Sequence, residues 1–404
     1  MSNDFEVGIV GAGPAGSCCA QVLGEAGIKV ALFDHSHPRE KPCGGLVDNR
    51  VVEEFNIPKE LLQNEIKWFL AERFGFRAKF SLKPSMYLTA RKDFDHYLLQ
   101  RTLENKGVAF FDEKVVQIRK KNGSWLIATN KDRHVVSKVL IGADGCPSLT
   151  RKHVSKPIYP QFLAMTVGYD FPCTTKYIER TFPKNTVEAY YSRKYMRKIG
   201  FIWIFPKRDS INVGIGSIEE GKKLKNSLDR FIQSHPAGKR LRNLRCRLFA
   251  HLIPAVWQQE FFDLQCSGDD WALIGDAAGH VNPLSGIGIY YAMKGGMLCA
   301  LAYLEGDLHR FEKYWRNDYG GELYYGAGTA LRYYSNLSLF SWFQSILKDK
   351  LSRLRLERWP PDHRPEVGSA SLSLDVPPLV QISKRSNTCR PPKTYLEQST
   401  IQYG

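Results

Sequence analysis

No run of apolar residues in this 404-residue chain approaches the roughly 20 that a membrane-spanning helix needs. The opening, MSNDFEVGIVGAG, lacks the basic segment and long apolar stretch of a secretion signal. Cysteine occurs nine times, an odd number with no regular spacing, which argues against a disulfide framework and offers no zinc-finger pattern. Aromatic-rich basic motifs of the RNA-binding kind are missing too, so neither a metal nor a nucleic acid is expected. These absences describe a cytoplasmic protein with reduced thiols that, if it meets a membrane, lies on its surface. Acidic residues are in deficit, 41 against 57 Lys and Arg, for a net charge of +16. That excess favours polyanions such as anionic lipid or phosphorylated small molecules.

What is present begins at once. Phe5 to Val10 reads as a short buried strand entering Gly11-Ala12-Gly13-Pro14-Ala15-Gly16. Ser17 to Ala26 then reads as a small-residue helix, and Ile28 to Phe33 as a second strand closing on Asp34. Gly11 suits a tight turn, Gly13 admits a pyrophosphate to the backbone, and Gly16 lets helix and strand approach. The helix N-terminus adds free N–H groups and a positive dipole. Asp34 stands near the offset, roughly 20 residues on, at which an acid meets ribose hydroxyls. Strand, glycines, helix, strand and acid in order make a dinucleotide site, without saying which dinucleotide.

Further on, Ser81 to Ala90 reads as a strand before a helix that starts at Arg91, with Asp93 as its cap. Val108 to Phe111, Lys114 to Arg119, Trp125 to Thr129 and Val135 to Ile141 read as strands, with Asn122-Gly123 as a hairpin turn. The texture changes over 157–265 to short strands and turns, among them Phe201 to Pro206 beside Ile211 to Ile215. Trp271 to Ile274 is a last buried strand, entering Gly275-Asp276 and, after Gly286-Ile287-Gly288, a helix from Ile289 to about Leu304. A second helix N-terminus thus faces a ligand. The expected units are 1–156 and 266–304 for the nucleotide domain, 157–265 for an inserted sheet, 305–359 helical, and a Pro- and Ser-rich tail, 360–404, without a packed core.

Together these motifs resemble flavoproteins built like p-hydroxybenzoate hydroxylase, and within them the geranylgeranyl reductase family. The resemblance runs from Asp4 to Trp359. It implies an α/β fold: a Rossmann-like FAD-binding domain, an inserted antiparallel sheet that binds substrate, and a C-terminal helical region. It implies FAD held by Gly11, Gly13, Ala15, Gly16 and Asp34 at the ADP end, with Arg91 near the phosphates and Val115 meeting adenine through its backbone. Asp276, Gly286, Gly288 and Ile289 would hold the ribityl chain and the ring's pyrimidine edge. A helix N-terminus there favours the negative charge that reduction places on the ring. Cys43, Gly44 and Gly45, within Pro42-Cys43-Gly44-Gly45, match the family loop beside the flavin. Phe201, Trp203, Pro206 and Gly214 match its aromatic strand motif, which lines a substrate cavity, with Phe201 where Tyr is usual.

The implied reaction is reduction of C=C bonds in a prenyl lipid or related apolar molecule, with electrons from NAD(P)H or a protein carrier. Such a reaction needs a proton as well as a hydride. Cys43 is the candidate donor; the alternative is a small residue that only shapes its loop. Aromatic hydroxylases and flavin-dependent halogenases share the fold, and Gly200 to Pro206 comes close to the halogenase G-W-x-W-x-I-P motif. A non-catalytic flavin-binding role is the rival of another class. Phe343, Leu347, Leu351 and Leu354, interleaved with Lys and Arg, form a basic amphipathic helix, either packed on the body or lying on an anionic membrane.

Overall fold

The computed structural model describes residues 4–73, 75–196, 200–217 and 221–335. In chain order its strands are β1 Asp4–Val10, β2 Val30–Asp34, β3 Leu46–Val47, β4 Leu62–Arg73, β5 Phe76–Thr89, β6 Val108–Asp112, β7 Val115–Lys121 and β8 Ser124–Thr129. There follow β9 His134–Gly142, β10 Leu163–Pro172, β11 Thr186–Tyr191, β12 Gly200–Pro206, β13 Ser210–Ser217, β14 Arg247–Pro254 and β15 Trp271–Leu273.

The first sheet runs β6-β2-β1-β9-β8-β7, with β15 also on β9. Strands β6, β2, β1, β9 and β15 are mutually parallel and β1 and β2 are nearly continuous apolar runs, as strands covered on both faces are. One edge of β9 is shared: His134–Ser137 pairs with β8, and Leu140–Gly142 pairs with β15. The β7–β8 turn, Asn122-Gly123, has φ of 49° and 75°, the left-handed pair that a two-residue hairpin needs. The first helix runs Pro14–Glu25, three residues earlier than expected. Pro14 occupies the first helical position, where its missing N–H costs nothing, and so draws Ala15 and Gly16 into the helix.

The second sheet runs β14-β10-β13-β12-β11-β4-β5-β3 and is antiparallel except at β11–β4. Its strands β3, β4 and β5 come from residues 46–89, which sequence reading had placed in the nucleotide domain. The signal was hidden because the β4–β5 register slips between Leu62 and Asn64 and again between Ile66 and Trp68, which breaks the alternation of apolar residues. One face of this sheet packs on the helix Gly221–Ser234 through Leu224, Leu228 and Phe231. The other face turns toward the loops at 42–44 and 282–286.

Asp93 is not the cap of the helix Arg91–Leu103. Ala90 is the N-cap residue, and the side chain that takes up the free N–H groups is Glu40, accepting from Arg91 at 3.2 Å and Lys92 at 2.8 Å. The described residues end in the helix Gly321–Ser335. The basic amphipathic segment and the Pro-rich tail lie outside the described residues. No helix among those described is long and apolar enough to cross a membrane.

Candidate functional site

At the end of β1, Gly11 takes φ of 102° and donates to the Phe33 carbonyl at 2.7 Å. A Cβ at Gly11 would lie 2.3 Å from the Ala143 carbonyl oxygen, and one at Gly16 only 1.8 Å from that of Gly11. Gly13, the N-cap of the helix, differs: a Cβ there would meet nothing within 4 Å. Two glycines let the turn close, and the third keeps open ground before a helix N-terminus, the cradle a diphosphate fits. Ala15 is buried beside Gly275, joining the two glycine turns. Asp34 accepts from the Ala12 N–H at 3.0 Å and from Ser36, so it braces the loop. Burial works against its charge, but Ser36, His37 and the Ala12 N–H outweigh that and hold its carboxyl below the usual range. The Glu113 N–H donates to the Asp34 carbonyl at 3.1 Å, which brings Val115 to the same end of the sheet.

Arg91 is buried and donates through Nε and Nη2 to both oxygens of Asp95, each at 2.7 Å. The Cys43 thiol also borders the guanidinium. Burial opposes the cation, yet Asp95 and this thiol hold it above its ordinary pKa.

The second glycine turn follows β15. Asp276 sits in a single turn of 3-10 helix, Gly275–Ala277, with Lys41 Nζ 3.3 Å from its carboxylate. Burial would raise its pKa, and the Lys41 ammonium brings it below the usual carboxylate value. Asn282 Oδ1 accepts from the N–H groups of Leu284 and Ser285 and so shapes the loop to Gly286, whose φ is 72°. Gly288 is the N-cap of the helix Ile289–Leu304; a Cβ on it would crowd Val281 at 3.1 Å and sit 3.5 Å from Asp276 Oδ1. A compact acid and a helix N-terminus therefore share one small space.

Between the second sheet and the loops at 42–44 and 282–286 lies a cavity of about 150 Å³, a size that in apolar surroundings admits a benzene-sized group. Its walls include Cys43 and Gly44, Phe201, Trp203 and Phe205, and Asn282, Pro283, Ser285 and Gly286. Gly44 packs under Phe205, where a Cβ would lie 2.5 Å from the ring, and Gly45 takes φ of 78° against the Thr89 carbonyl. Trp203 Nε1 donates to Asn212 Oδ1 at 2.8 Å, fixing the indole. Of the expected substrate residues, Phe201 and Trp203 line the cavity. Gly214 lies behind Trp203, where a Cβ would come within 2.1 Å of the ring, and Pro206 ends β12 with its carbonyl taking the Asn64 amide. Sequence reading missed Phe205, Thr166, Ile253, Trp257 and Lys41. Phe205 and Lys41 adjoin the motifs; the others come from distant strands and carry no local mark.

The FAD binding domain family matches residues 4–168. Geranylgeranyl diphosphate reductase of Synechocystis sp. is 28% identical over 351 residues, 78% of this chain and 82% of that protein. The Rhodobacter capsulatus enzyme of the same name is 29% identical over 307 residues, 74% of each chain. Digeranylgeranylglycerophospholipid reductase of Methanococcus vannielii is 28% identical over 342 residues, 78% of this chain and 83% of that one. Among solved structures, a geranylgeranyl bacteriochlorophyll reductase-like protein of Thermoplasma acidophilum shares the fold with a TM-score of 0.69 at 19% identity, over 88% of this chain and 98% of that one. A flavin-dependent brominase does so with the same TM-score and identity, over 88% and 94%.

Proposed function

Because the chain belongs to the geranylgeranyl reductase family of FAD-dependent oxidoreductases, we propose that it reduces carbon–carbon double bonds of a prenyl lipid or a related apolar substrate. The observation that carries this reading is the cavity, which joins the Cys43 loop, the aromatic wall of β12 and the turn ending at Gly286. Its size suits one reacting isoprene unit. The reductase names of the sequence relatives support this substrate class.

FAD would lie along Gly11, Gly13, Ala15 and Gly16, with Asp34 at the ribose, Val115 at adenine and Arg91 toward the phosphates. Asp276, Gly286, Gly288 and Ile289 would hold the ribityl chain and the pyrimidine edge, with Gly44 and Gly45 beside the ring. When bound, FAD supplies hydride from its ring. The rest falls to the protein. Phe201, Trp203 and Phe205 exclude water from the double bond. Cys43, whose thiol borders the Arg91 guanidinium, gives the proton to the second carbon. Solvent then restores the thiol. NAD(P)H or a protein carrier supplies the electrons, and the basic amphipathic segment brings the enzyme to the anionic lipid surface where its substrate resides.

A second reading rests on residues 200–206, which approach a halogenase motif, and on the fold shared with the brominase. One experiment separates the two. Protein reduced without oxygen is mixed with geranylgeranyl lipids and followed by flavin absorbance and mass spectrometry. Anaerobic reoxidation with a saturated product is expected; a halogenated product formed only with oxygen and bromide or chloride, from an aromatic substrate, would replace the reductase reading. Cys43→Ala should retain FAD and turn over slowly, and normal turnover would remove Cys43 from the mechanism.

A further inference from the structure

Strand β14 lies along β10, and opposed residues share a face of the sheet. Ala164 pairs with Ile253, Thr166 with His251 and Gly168 with Phe249. Ala164, Thr166 and Ile253 line the cavity. His251 therefore stands on the cavity face, between Ile253 and Phe249. Its backbone carbonyl accepts the Thr166 hydroxyl at 2.8 Å. The charged groups around the imidazole come from elsewhere: Lys41 of the Cys43 loop, Asp276 of the second glycine turn, then Arg39 and Arg91. Its Nε2 is shut off from solvent and has no hydrogen-bond partner among the described residues. Buried polar atoms left unpaired are rare, and one placed where a substrate cavity meets an expected cofactor site calls for a ligand atom.

We propose that His251 contacts the cofactor, its Nε2 forming a hydrogen bond with the flavin moiety of bound FAD beside Asp276. Burial first, and then the Lys41 ammonium, push its pKa down to about 4, so the imidazole is neutral at ordinary pH. It acts as a neutral hydrogen-bonding group and leaves proton donation to Cys43. The inference needs FAD to bind; it does not need the substrate to be a prenyl lipid.

The test is titration of FAD into the deflavinated full chain, read by flavin fluorescence and absorption, for His251→Leu, His251→Asn and His251→Gln. A glutamine amide reaches about as far as Nε2, and an asparagine amide only as far as Nδ1. Loss of one buried hydrogen bond predicts that Leu and Asn raise Kd roughly tenfold and shift the flavin absorption band, while Gln stays within about threefold of wild type. Wild-type Kd and spectrum in the Leu and Asn variants would overturn the proposal. If the Leu variant does not fold, equal Kd values for Asn and Gln overturn it just as well. Failure of the prenyl-lipid reading would show differently, as absent anaerobic turnover with FAD binding unchanged.

Discussion

Substitution of Asp95 by Leu should destabilise the protein far more than its position outside the cavity suggests. Asp95 is 1% exposed and Arg91 3% exposed, and the two meet through paired bonds of 2.7 Å. Removing the carboxylate leaves a buried guanidinium without its paired partner, and breaking one side of such a pair costs about 3–5 kcal/mol. Replacing both partners by leucine removes the stranded charge, and the cost should then fall to about 1 kcal/mol or less. Urea unfolding of the FAD-free protein provides the measure. With a slope near 3 kcal/mol/M, Asp95→Leu should lower the midpoint by about 1–1.7 M, and the double variant should recover most of it. FAD affinity should not recover with it, because the double variant also lacks the cation expected near the phosphates. The reasoning fails if Asp95→Leu loses less than about 1 kcal/mol, or if the double variant is no more stable than the single one.

Gly13 and Gly16 should behave oppositely. Gly13→Ala has open space and an ordinary φ of −70°, so the melting temperature of the FAD-free protein should hold while FAD affinity drops about tenfold or more. Gly16→Ala should unfold the turn itself, visible as a lowered melting temperature without cofactor. Gly214→Ala forces a methyl into Trp203 and should cost about 1–3 kcal/mol, with the indole fluorescence changing as its bond to Asn212 is lost. His280 is buried against Tyr319 and Trp315, and burial holds its pKa down to about 3. The unfolded chain takes up that proton from about pH 6.5 downward and the folded one does not, so His280 stabilises fully above pH 6.5 and progressively less down to pH 3. The slope is at most about 1.4 kcal/mol per pH unit for one proton, and it should flatten in His280→Phe. An unchanged pH profile in that variant would contradict this placement of the histidine.

The nucleotide fold was legible because its information is local. Gly11, Gly13, Gly16 and Asp34 sit within 24 residues of chain, and each answers to one requirement of a strand–turn–helix. The aromatic strand was legible for the same reason, since Phe201, Trp203 and Phe205 alternate toward one face. Illegible parts depend on contacts between distant segments. Glu40 caps a helix 51 residues away. Strands β4 and β5 hide their membership in the second sheet behind two register slips. His251 differs from any surface histidine only because Ile253, Lys41 and Asp276 enclose it. Asp93 misled for a related reason: a good capping residue was present, but a better-placed acid arrived from a loop.

The packing of the helix Ile289–Leu304 on the first helix has a consequence for how the protein is made. Gly296 lies so close to Ala15 that a Cβ would come within 2.3 Å of its carbonyl oxygen. The amino-terminal glycine turn thus borrows a wall from a helix much later in the chain. On the ribosome that wall follows roughly 280 residues later, and at 5–20 residues per second the wait is roughly 14–56 s. Through that interval Ala15 and Cys19, both buried in the finished fold, stand open on a nascent surface. Asp276 and Gly288, expected at the other end of FAD, are made late in the same interval, so the full set of residues expected around the cofactor exists only after it.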